Sequence, residues 1–334
     1  MAKNESCNPC EQFKTMIGGQ ALIEGIMMRG PERDAIVCRT RDGLTVEVSD
    51  RKLPKNGSPL KWPLIRGVVN FFDSQVTGVK ALLRSADLSP DEEFDQEPSK
   101  LDLWLEKKLG NEKFQQFLIY GAAIAGLLMS IGLFFLLPMV IGGFFDGLVQ
   151  SMVGINLIEG VVRMVIFLCY MILISRMSEM KRLFAYHGAE HKTIRCYEAK
   201  LPLTVENVRK QTRLHPRCGT SFLLVVMILS ILVFSVASSA LLSVVPALEA
   251  MRGSFGYRLI MIAFKLLLLP LVVSIAYEIN RWVGRHDNAF TRILTAPGLW
   301  MQNFTTNEPD DSMIEVAIAA VNAVLPEKEG SDAW

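Results

Sequence analysis

Two of the chain's four histidines stand four positions apart in the stretch YHGAEHKTIR, residues 186–195. On a helix, residues four apart project from the same face, so the imidazoles of His187 and His191 could bind one cation. Glu190 lies beside His191, close to that face. The order His-x-x-Glu-His is that of inverted zincin-type hydrolases, in which two histidines hold zinc and the glutamate activates its water. The stretch therefore predicts a site for zinc or another divalent metal, with Glu190 as the base.

The sequence leaves the third metal ligand open among three residues. His215 and Cys218 precede one apolar run, and Glu278 follows another. All three lie near predicted helix ends, and the helix ends of a four-helix bundle come within side-chain reach of one another. Cys218 is in addition a candidate thiolate if the neighbouring Arg217 lowers its pKa. We therefore expect Glu278, His215 or Cys218 to complete the site.

Some features of the same stretch argue against a metal. Gly188 lies inside the supposed helix, where glycine costs about 1 kcal/mol relative to alanine. Lys192 and Arg195 bring positive charge close to the proposed cation. One alternative is a polar helix whose histidines hydrogen-bond to neighbouring helices. Another is a closed structural metal site, which uses the same ligand types as a catalytic site.

Apolar helices are expected to position these residues. Half of the 334 residues are hydrophobic, and the runs 117–145 and 220–248 contain no charged residue. Each run exceeds the roughly 20 residues that a helix needs to cross about 30 Å of hydrocarbon. Residues 157–176 and 259–277 form two further runs. We predict an α-helical integral membrane protein with a bundle of four transmembrane helices.

Three charged residues interrupt the two weaker runs. Glu159 and Arg163 stand one helical turn apart near one end of their run, where they could pair. Lys265 is the single charge in the fourth run, and we expect its side chain to extend outward to the membrane surface. This interpretation is favoured over a residue of an ion pathway.

The basic residues predict the orientation of the four helices. Residues 146–156 contain no Lys or Arg, whereas residues 176–217 contain ten. The positive-inside rule places the second segment, and with it both termini, in the cytoplasm. No cleavable signal peptide is expected in the first twenty residues. The expected partners are the lipid bilayer and another integral membrane protein, whereas a net charge of +1 gives no argument for nucleic acid binding.

Local patterns divide the chain into five segments. Alternation on both sides of Asp42 predicts a β-hairpin, and the apolar spacing of residues 63–85 predicts an amphipathic helix. Ser312 and Glu315 have the spacing of a helix capping box. The predicted segments are a flexible N terminus (1–16, with the Cys7–Cys10 pair), a cytoplasmic hairpin plus amphipathic helix (17–86), an acidic linker (87–103), a four-helix membrane domain (104–300, with a cytoplasmic loop at 177–216) and a cytoplasmic tail (301–334, with a helix at 311–325).

Four longer stretches together carry a resemblance to a known family. They are GGQALIEGIMMRGP, YHGAEHKTIRCYE, HPRCGTSF and NEPDDSMIEVAIAA. The chain resembles the YqhQ-like family of bacterial multi-pass membrane proteins, a domain of unknown function, from about Gly18 to Ala320. The resemblance implies a protein of the bacterial cytoplasmic membrane. It also implies a metal-dependent enzyme, a description that rests on the same His-Gly-Ala-Glu-His signature.

Two classes of function follow from these observations. The first is a metal-dependent hydrolase at the cytoplasmic membrane face, acting on a membrane peptide or a lipid headgroup. The second is a non-enzymatic membrane factor or scaffold that binds another membrane protein, such as a biogenesis or translocation component. An open coordination position beside a cleft would favour the enzyme, whereas a filled polar cluster and an exposed apolar patch would favour the scaffold. A transporter, the third alternative, would need discontinuous helices and polar residues at the membrane midplane.

Overall fold

A computed structural model describes residues 13–51, 57–89, 111–145, 147–149, 151–286, 288–328 and 330–333, without the side chains of residues 111–120. The Cys7–Cys10 pair and most of the predicted acidic linker lie outside the described residues. The chain divides into two compact units. The first unit contains residues 1–89, 172–224 and 274–334, and the second contains residues 90–171 and 225–273.

A four-stranded antiparallel sheet opens the first unit. The strands are β1 (Gly18–Leu22), β2 (Gly25–Arg29), β3 (Arg33–Thr40) and β4 (Gly43–Asp50), and they pair in that order. The predicted hairpin is confirmed as β3 and β4, in which Thr40 pairs with Gly43. Gly43 has a φ of 122°, which glycine adopts readily. The pairing of β1 with β2 was not predicted from the sequence.

Eleven helices follow among the described residues. They are α1 (Ile65–Leu88), α2 (Asn111–Ile131), α3 (Leu137–Gly143), α4 (Met152–Ile174), α5 (Ser178–Glu198), α6 (Val205–Arg209), α7 (Gly219–Val244), α8 (Ala247–Ala250), α9 (Phe255–Arg285), α10 (Ala289–Thr305) and α11 (Asp311–Val324). A π turn at Gly132–Leu136 joins α2 to α3, and a 3-10 turn at Pro59–Lys61 precedes α1. The segment 177–216, the predicted connection between the second and third apolar runs, contains α5 and α6, so His187 and His191 lie on a helix as expected. The helix α10 was not predicted.

Four of the helical segments are long and apolar enough to cross a membrane. They are Gly121–Gly143, Met152–Ile174, Gly219–Val244 and Phe255–Arg285. Each contains at least 23 residues, more than the roughly 20 that the hydrocarbon layer requires. The prediction of four such helices is therefore confirmed, together with the small N-terminal sheet.

Glu159, Arg163 and Lys265 of the second unit are buried rather than directed outward. The Lys265 ammonium donates to the Glu159 carboxylate, and these two residues are only 2% and 5% exposed. Arg163 Nε donates to the carbonyl oxygen of Phe134 over 2.7 Å. The predictions of an outward-extending Lys265 and a Glu159–Arg163 pair are therefore wrong. Residues on different helices lie close enough to pair, and a buried ion pair is much less unfavourable than an isolated buried charge.

One face of the sheet forms the main core of the first unit. Ile26 and Met28 of β2 and Ala35 and Val37 of β3 pack there with buried residues of α5 and α11. The predicted tail helix thus packs on the N-terminal sheet. The opposite sheet face packs Leu22 and Met27 against Ala81 of α1.

The N terminus of α11 differs from its prediction. Asp310 is the N-cap, and its carboxylate accepts a hydrogen bond from the backbone N–H of Met313 over 3.0 Å. Ser312 donates its hydroxyl to the same carboxylate instead of capping the helix. The predicted capping box of Ser312 and Glu315 is therefore wrong. Asp310 has the extended backbone that an N-cap requires, whereas Ser312 is already inside the helix.

Candidate metal centre

Three potential metal ligands meet in the first unit. His187 and His191 lie on one face of α5, and Cys218 directly precedes α7. One ligand atom from each residue lies within 4.8 Å of the others, and His187 Nε2 is 3.3 Å from Cys218 Sγ. His191 and Cys218 are buried, and His187 is partly buried. Of the three candidates for the third ligand, the geometry favours Cys218.

Backbone carbonyl groups orient both imidazole rings. His187 Nδ1 lies 2.8 Å from the carbonyl oxygen of Thr305, and His191 Nδ1 lies 2.6 Å from that of Arg213. A carbonyl oxygen only accepts, so each Nδ1 carries the proton and donates it. The Nε2 lone pairs are therefore directed to other partners when the rings are neutral. This arrangement is typical of metal-binding histidines, whose second nitrogen donates to a carbonyl or carboxylate.

Cys218 and His187 influence each other's protonation. Burial raises the pKa of the Cys218 thiol, but the nearby charges of His191 and His187 outweigh it and hold that pKa well below its usual value. Burial lowers the pKa of His187, but the Cys218 thiolate outweighs it and raises the pKa to about 9. Arg217, which the sequence suggested as the cause of a lowered thiol pKa, instead binds Glu198. Without a metal, the geometry favours a thiolate beside an imidazolium, and the thiolate is the form that binds metals.

Glu190 is a buried carboxyl group close to this triad. Its Oε1 accepts a hydrogen bond from the backbone N–H of Gly19 over 2.9 Å. Its Oε2 is buried and has no hydrogen-bond partner among the described residues. Burial raises the pKa of Glu190, while the charges of His187 and His191 oppose that shift. Glu190 therefore has one anchored oxygen and one oxygen able to exchange a proton.

His215 lies beside the triad but has a different partner. Its ring centroid is 5.5 Å from that of His191, and its Nε2 is 3.5 Å from a carboxylate oxygen of Glu198. Burial lowers the pKa of His215 to about 4, even though Glu198 opposes this shift. We therefore treat the contact as one between a neutral imidazole and a carboxylate. The expected convergence of the histidines holds for His187, His191 and His215.

Glu278 does not join the group. Its carboxylate binds the Arg66 guanidinium through both oxygens, with Arg66 Nε 2.7 Å from Oε1. The backbone N–H of Leu64 also approaches Oε1. Because its oxygens are engaged by α1 and the residue before it, Glu278 is unsuited to be the third ligand. The sequence could not show that the end of α9 packs against the start of α1.

Gly188, which the sequence analysis counted against the site, is required by packing. A Cβ at this position would lie 2.0 Å from the carbonyl oxygen of Asn307. The Asn307 N–H in turn donates to the carbonyl oxygen of Phe184 over 2.8 Å. The glycine thus allows the segment after α10 to approach α5. That segment follows Thr305, the acceptor for His187.

The two cations near the motif are bound elsewhere. Lys192 Nζ donates to the carbonyl oxygen of Arg209 over 3.1 Å and lies 2.6 Å from the Glu308 carboxylate. Arg195 Nε donates to the carbonyl oxygen of Leu214 over 2.6 Å. The Glu308 carboxylate compensates the charge of Lys192, so the objection based on that charge is weakened, whereas the contact of Arg195 fixes its position without cancelling its charge.

Several groups that the sequence did not indicate support the triad. Gln302 accepts from the backbone N–H of His215 over 2.7 Å and donates to its carbonyl oxygen over 2.8 Å. This buried amide fixes the segment that carries Cys218. The other supports are backbone groups of Gly19, Arg213 and Thr305. Backbone N–H and carbonyl groups are common to almost all residues, so no sequence pattern could have identified these three.

The fold and site together define an α-helical protein with four potential membrane-spanning helices and a His-His-Cys group able to hold a metal. The chain belongs to a family of proteins of unknown function, DUF1385, whose family model matches residues 62–327. It is 32% identical over 323 residues to the uncharacterized protein YqhQ of Bacillus subtilis (strain 168), with 92% of each chain covered. No solved structure matches the chain. The resemblance to the YqhQ-like family is confirmed.

Proposed function

We propose that this protein is a metal-dependent hydrolase at the cytoplasmic face of a bacterial membrane. One observation carries the proposal. Three ligand atoms of His187, His191 and Cys218 lie within 4.8 Å of one another, and close to them stands Glu190, with a buried oxygen that has no partner among the described residues. Three protein ligands leave one position of a tetrahedral zinc site for water or substrate, as in catalytic rather than closed structural sites.

The membrane orientation follows from the charge distribution. Four helices are long and apolar enough to cross a bilayer, and ten Lys and Arg residues lie between the second and third of them. The positive-inside rule then places α5 and Cys218 on the cytoplasmic side. A reporter fused after Lys200 should behave as cytoplasmic, and one inserted near Gly154 as external. A reversed result would move the triad to the other side of the membrane.

The residues of the site would have three separate roles in hydrolysis, namely metal binding, proton transfer and orientation of the imidazoles. The two imidazoles and the thiolate would hold zinc, which supplies a Lewis acid and makes water a nucleophile at neutral pH. Glu190 Oε2 would accept the proton of the attacking water and later deliver it to the leaving group, since its pKa is raised by burial. Thr305 and Arg213 would keep the imidazoles in the tautomer that binds metal.

Metal analysis of the detergent-purified full chain tests the ligand set. We expect about one equivalent of zinc in the wild type, and loss of stoichiometric metal in His187→Ala, His191→Ala and Cys218→Ser. His286→Ala is the matched control, because that imidazole stacks on Trp282, binds its carbonyl oxygen and lies outside the triad. Wild-type protein that neither carries metal nor binds it on titration would disprove the site.

Glu190→Gln tests the catalytic half of the proposal. The glutamine can still accept from Gly19 N–H, so the local structure and the metal should be retained. Proton transfer is removed, and hydrolysis of ester, phosphodiester or peptide probes should fall by about 10²–10⁴-fold. A variant that retains both its metal and the wild-type rate would make Glu190 a structural residue.

An exposed apolar surface supports the scaffold as the second candidate. The edge strand β4 exposes Leu44, Val46 and Val48, which alternate along one sheet face. On α1, Phe72 and Val76 are also more than half exposed. Such surfaces can mark contacts with another protein or with lipid. If the metal-binding variants lose zinc but keep the cellular function, this second interpretation becomes the better one.

A further inference from the structure

A cavity of about 500 Å³ lies within the first unit. Four cationic side chains line it, together with one carboxylate. The charged lining residues are Lys14, Arg195, Arg217, Arg292 and Glu198. Among the described lining residues, positive charge therefore exceeds negative charge.

The carboxylate in the wall is already well supplied with partners. Arg217 forms an ion pair with Glu198, and the backbone N–H of Thr15 donates to Glu198 Oε1 over 2.9 Å. Burial raises the pKa of Glu198, but the His215 hydrogen bond and the Arg217 charge outweigh it and lower the pKa. Glu198 is therefore ionised and compensates Arg217.

The charges of two other lining cations are available to a ligand. Lys14 Nζ donates to the carbonyl oxygen of Gly284 over 3.2 Å, and Arg195 Nε donates to that of Leu214 over 2.6 Å. A neutral carbonyl group orients a cation without cancelling its formal charge. Arginine and lysine placed in this way are the usual protein groups that bind phosphate oxygens.

The position of the cavity indicates where its ligand would come from. Its lining includes Val283 and Gly284 at the end of α9, and Pro216 and Arg217 just before α7. We have proposed that α7 and α9 cross the membrane, so these residues would lie at the membrane surface. This is the depth at which phospholipid headgroups carry their phosphate groups.

The helix α10 connects the cavity to a surface suited to lipid. On one side it exposes Phe290, Ile293 and Trp300, of which Ile293 is 70% exposed. Other residues of α10 line the cavity, namely Thr291, Arg292, Thr295 and Leu299. A Cβ on Gly298 would lie 2.3 Å from Ser221 Oγ, so α10 packs closely on the start of α7. Apolar and aromatic side chains beside basic groups are typical of helices that lie in the membrane interface.

We infer that this cavity binds a phosphate-bearing anion, and that the headgroup of an anionic phospholipid fits it better than a soluble phosphate ester. The cavity volume is within the roughly 300–1,000 Å³ of small-molecule sites. Its wall also adjoins the candidate metal centre, because Arg217 directly precedes Cys218 and Glu198 contacts His215. If the protein is the hydrolase proposed above, anionic phospholipids are its substrate class, and this part of the inference rests on the proposed function.

Binding to the full chain in neutral detergent tests the inference with defined probes. The probes are a short-chain phosphatidylglycerol, a phosphatidylcholine of the same chain length, glycerol phosphate and inorganic phosphate. We expect saturable binding of phosphatidylglycerol, weaker binding of phosphatidylcholine, and competition by glycerol phosphate only at much higher concentration. Lys14→Gln combined with Arg195→Gln should weaken phosphatidylglycerol binding about 25-fold, at about fivefold for each cation. The matched control, Lys80→Gln with Lys328→Gln, removes two exposed cations outside the cavity and should have little effect.

The outcomes separate the possible ligands and the two proposals. Tight binding of glycerol phosphate or inorganic phosphate would support the anion site and overturn the lipid source. Equal loss in the cavity and control variants, or equal binding of both lipids, would overturn the site itself. His191→Ala should lose metal but still bind phosphatidylglycerol, because the cavity cations are not in the ligand group. Metal binding and lipid binding are therefore tested independently, and the loss of one does not require the loss of the other.

Discussion

Replacing Gly188 with alanine has opposite expected effects in an isolated helix and in this structure. In an exposed helix interior, alanine would be favoured over glycine by about 1 kcal/mol. Here the new Cβ would lie 2.0 Å from Asn307 O, whereas ordinary contacts begin near 3.4 Å. The carbonyl group would have to recede by about 1.4 Å. It belongs to the backbone, so no rotation of a flexible side chain relieves the overlap.

The expected magnitude combines these two effects. Overpacking of this kind costs about 1–3 kcal/mol, and a backbone overlap belongs at the upper end of that range. After subtraction of the helix preference, Gly188→Ala should lower the free energy of unfolding by about 2 kcal/mol. For a unit of roughly two hundred residues this corresponds to a fall in Tm of about 4–8 °C.

The same displacement should weaken the metal site. Asn307 is two residues from Thr305, whose carbonyl oxygen lies 2.8 Å from His187 Nδ1. A shift of half the required size would move that pair beyond the usual 2.7–3.2 Å of an N–H···O bond. Loss of such an outer-shell partner lowers metal affinity by about 10–100-fold.

Thermal unfolding in detergent and a zinc competition titration measure the two effects. Gly126→Ala is the matched control, because a Cβ at Gly126 would meet no atom within 4 Å. If Gly188→Ala unfolds at or above the temperature of Gly126→Ala and binds zinc with unchanged affinity, the close contact between α5 and the segment after α10 does not exist.

The remaining predictions concern protonation, the buried ion pair and the support of the thiolate segment. Without metal the pKa of His187 is about 9, and its proton competes with zinc for the imidazole nitrogen. The measured zinc affinity should therefore rise about tenfold per pH unit from pH 6.5 to 9 and then level off. A flat profile would contradict the protonation of His187 in this range. Lys265→Met leaves the Glu159 carboxylate buried without its partner and should lower the free energy of unfolding by about 3–5 kcal/mol, as measured by thermal unfolding. Adding Glu159→Gln should restore most of the lost free energy. Gln302→Leu deprives the backbone N–H and carbonyl group of His215 of their hydrogen-bond partners. We expect the free energy of unfolding to fall by about 2–6 kcal/mol and zinc binding to weaken. Unchanged values would contradict the role of Gln302 in holding the segment that carries Cys218.

The sequence correctly placed His187 and His191 on one helix face because that feature depends on local geometry. His187 and His191 are four positions apart, and a helix places such residues on one face whatever surrounds it. The third ligand depends on how distant helices pack. Cys218, His215 and Glu278 were equivalent in the sequence, but the Arg66 side chain engages only the last of them.

The four long apolar helices also combine a feature that depends on local sequence with one that depends on distant contacts. Their number followed from the length of the apolar runs, which is a property of each run alone. The pairing of Lys265 with Glu159 could not be predicted from any single run. These residues are 106 positions apart and meet only after α9 packs beside α4. An isolated helix would favour extension of the lysine to the surface, but the packed bundle supplies a carboxylate that the single helix lacks.

The contact between β3 and α11 has a consequence for the synthesis of the chain. The buried face of the sheet contains Ala35, and the helix that covers it ends at Val324. A ribosome adding about 5–20 residues per second needs roughly 15–60 s to cover that interval. During this time Ile26, Met28 and Val37 lack the helix that buries them. We therefore expect the nascent N-terminal segment to depend on a chaperone or on the membrane surface until translation ends.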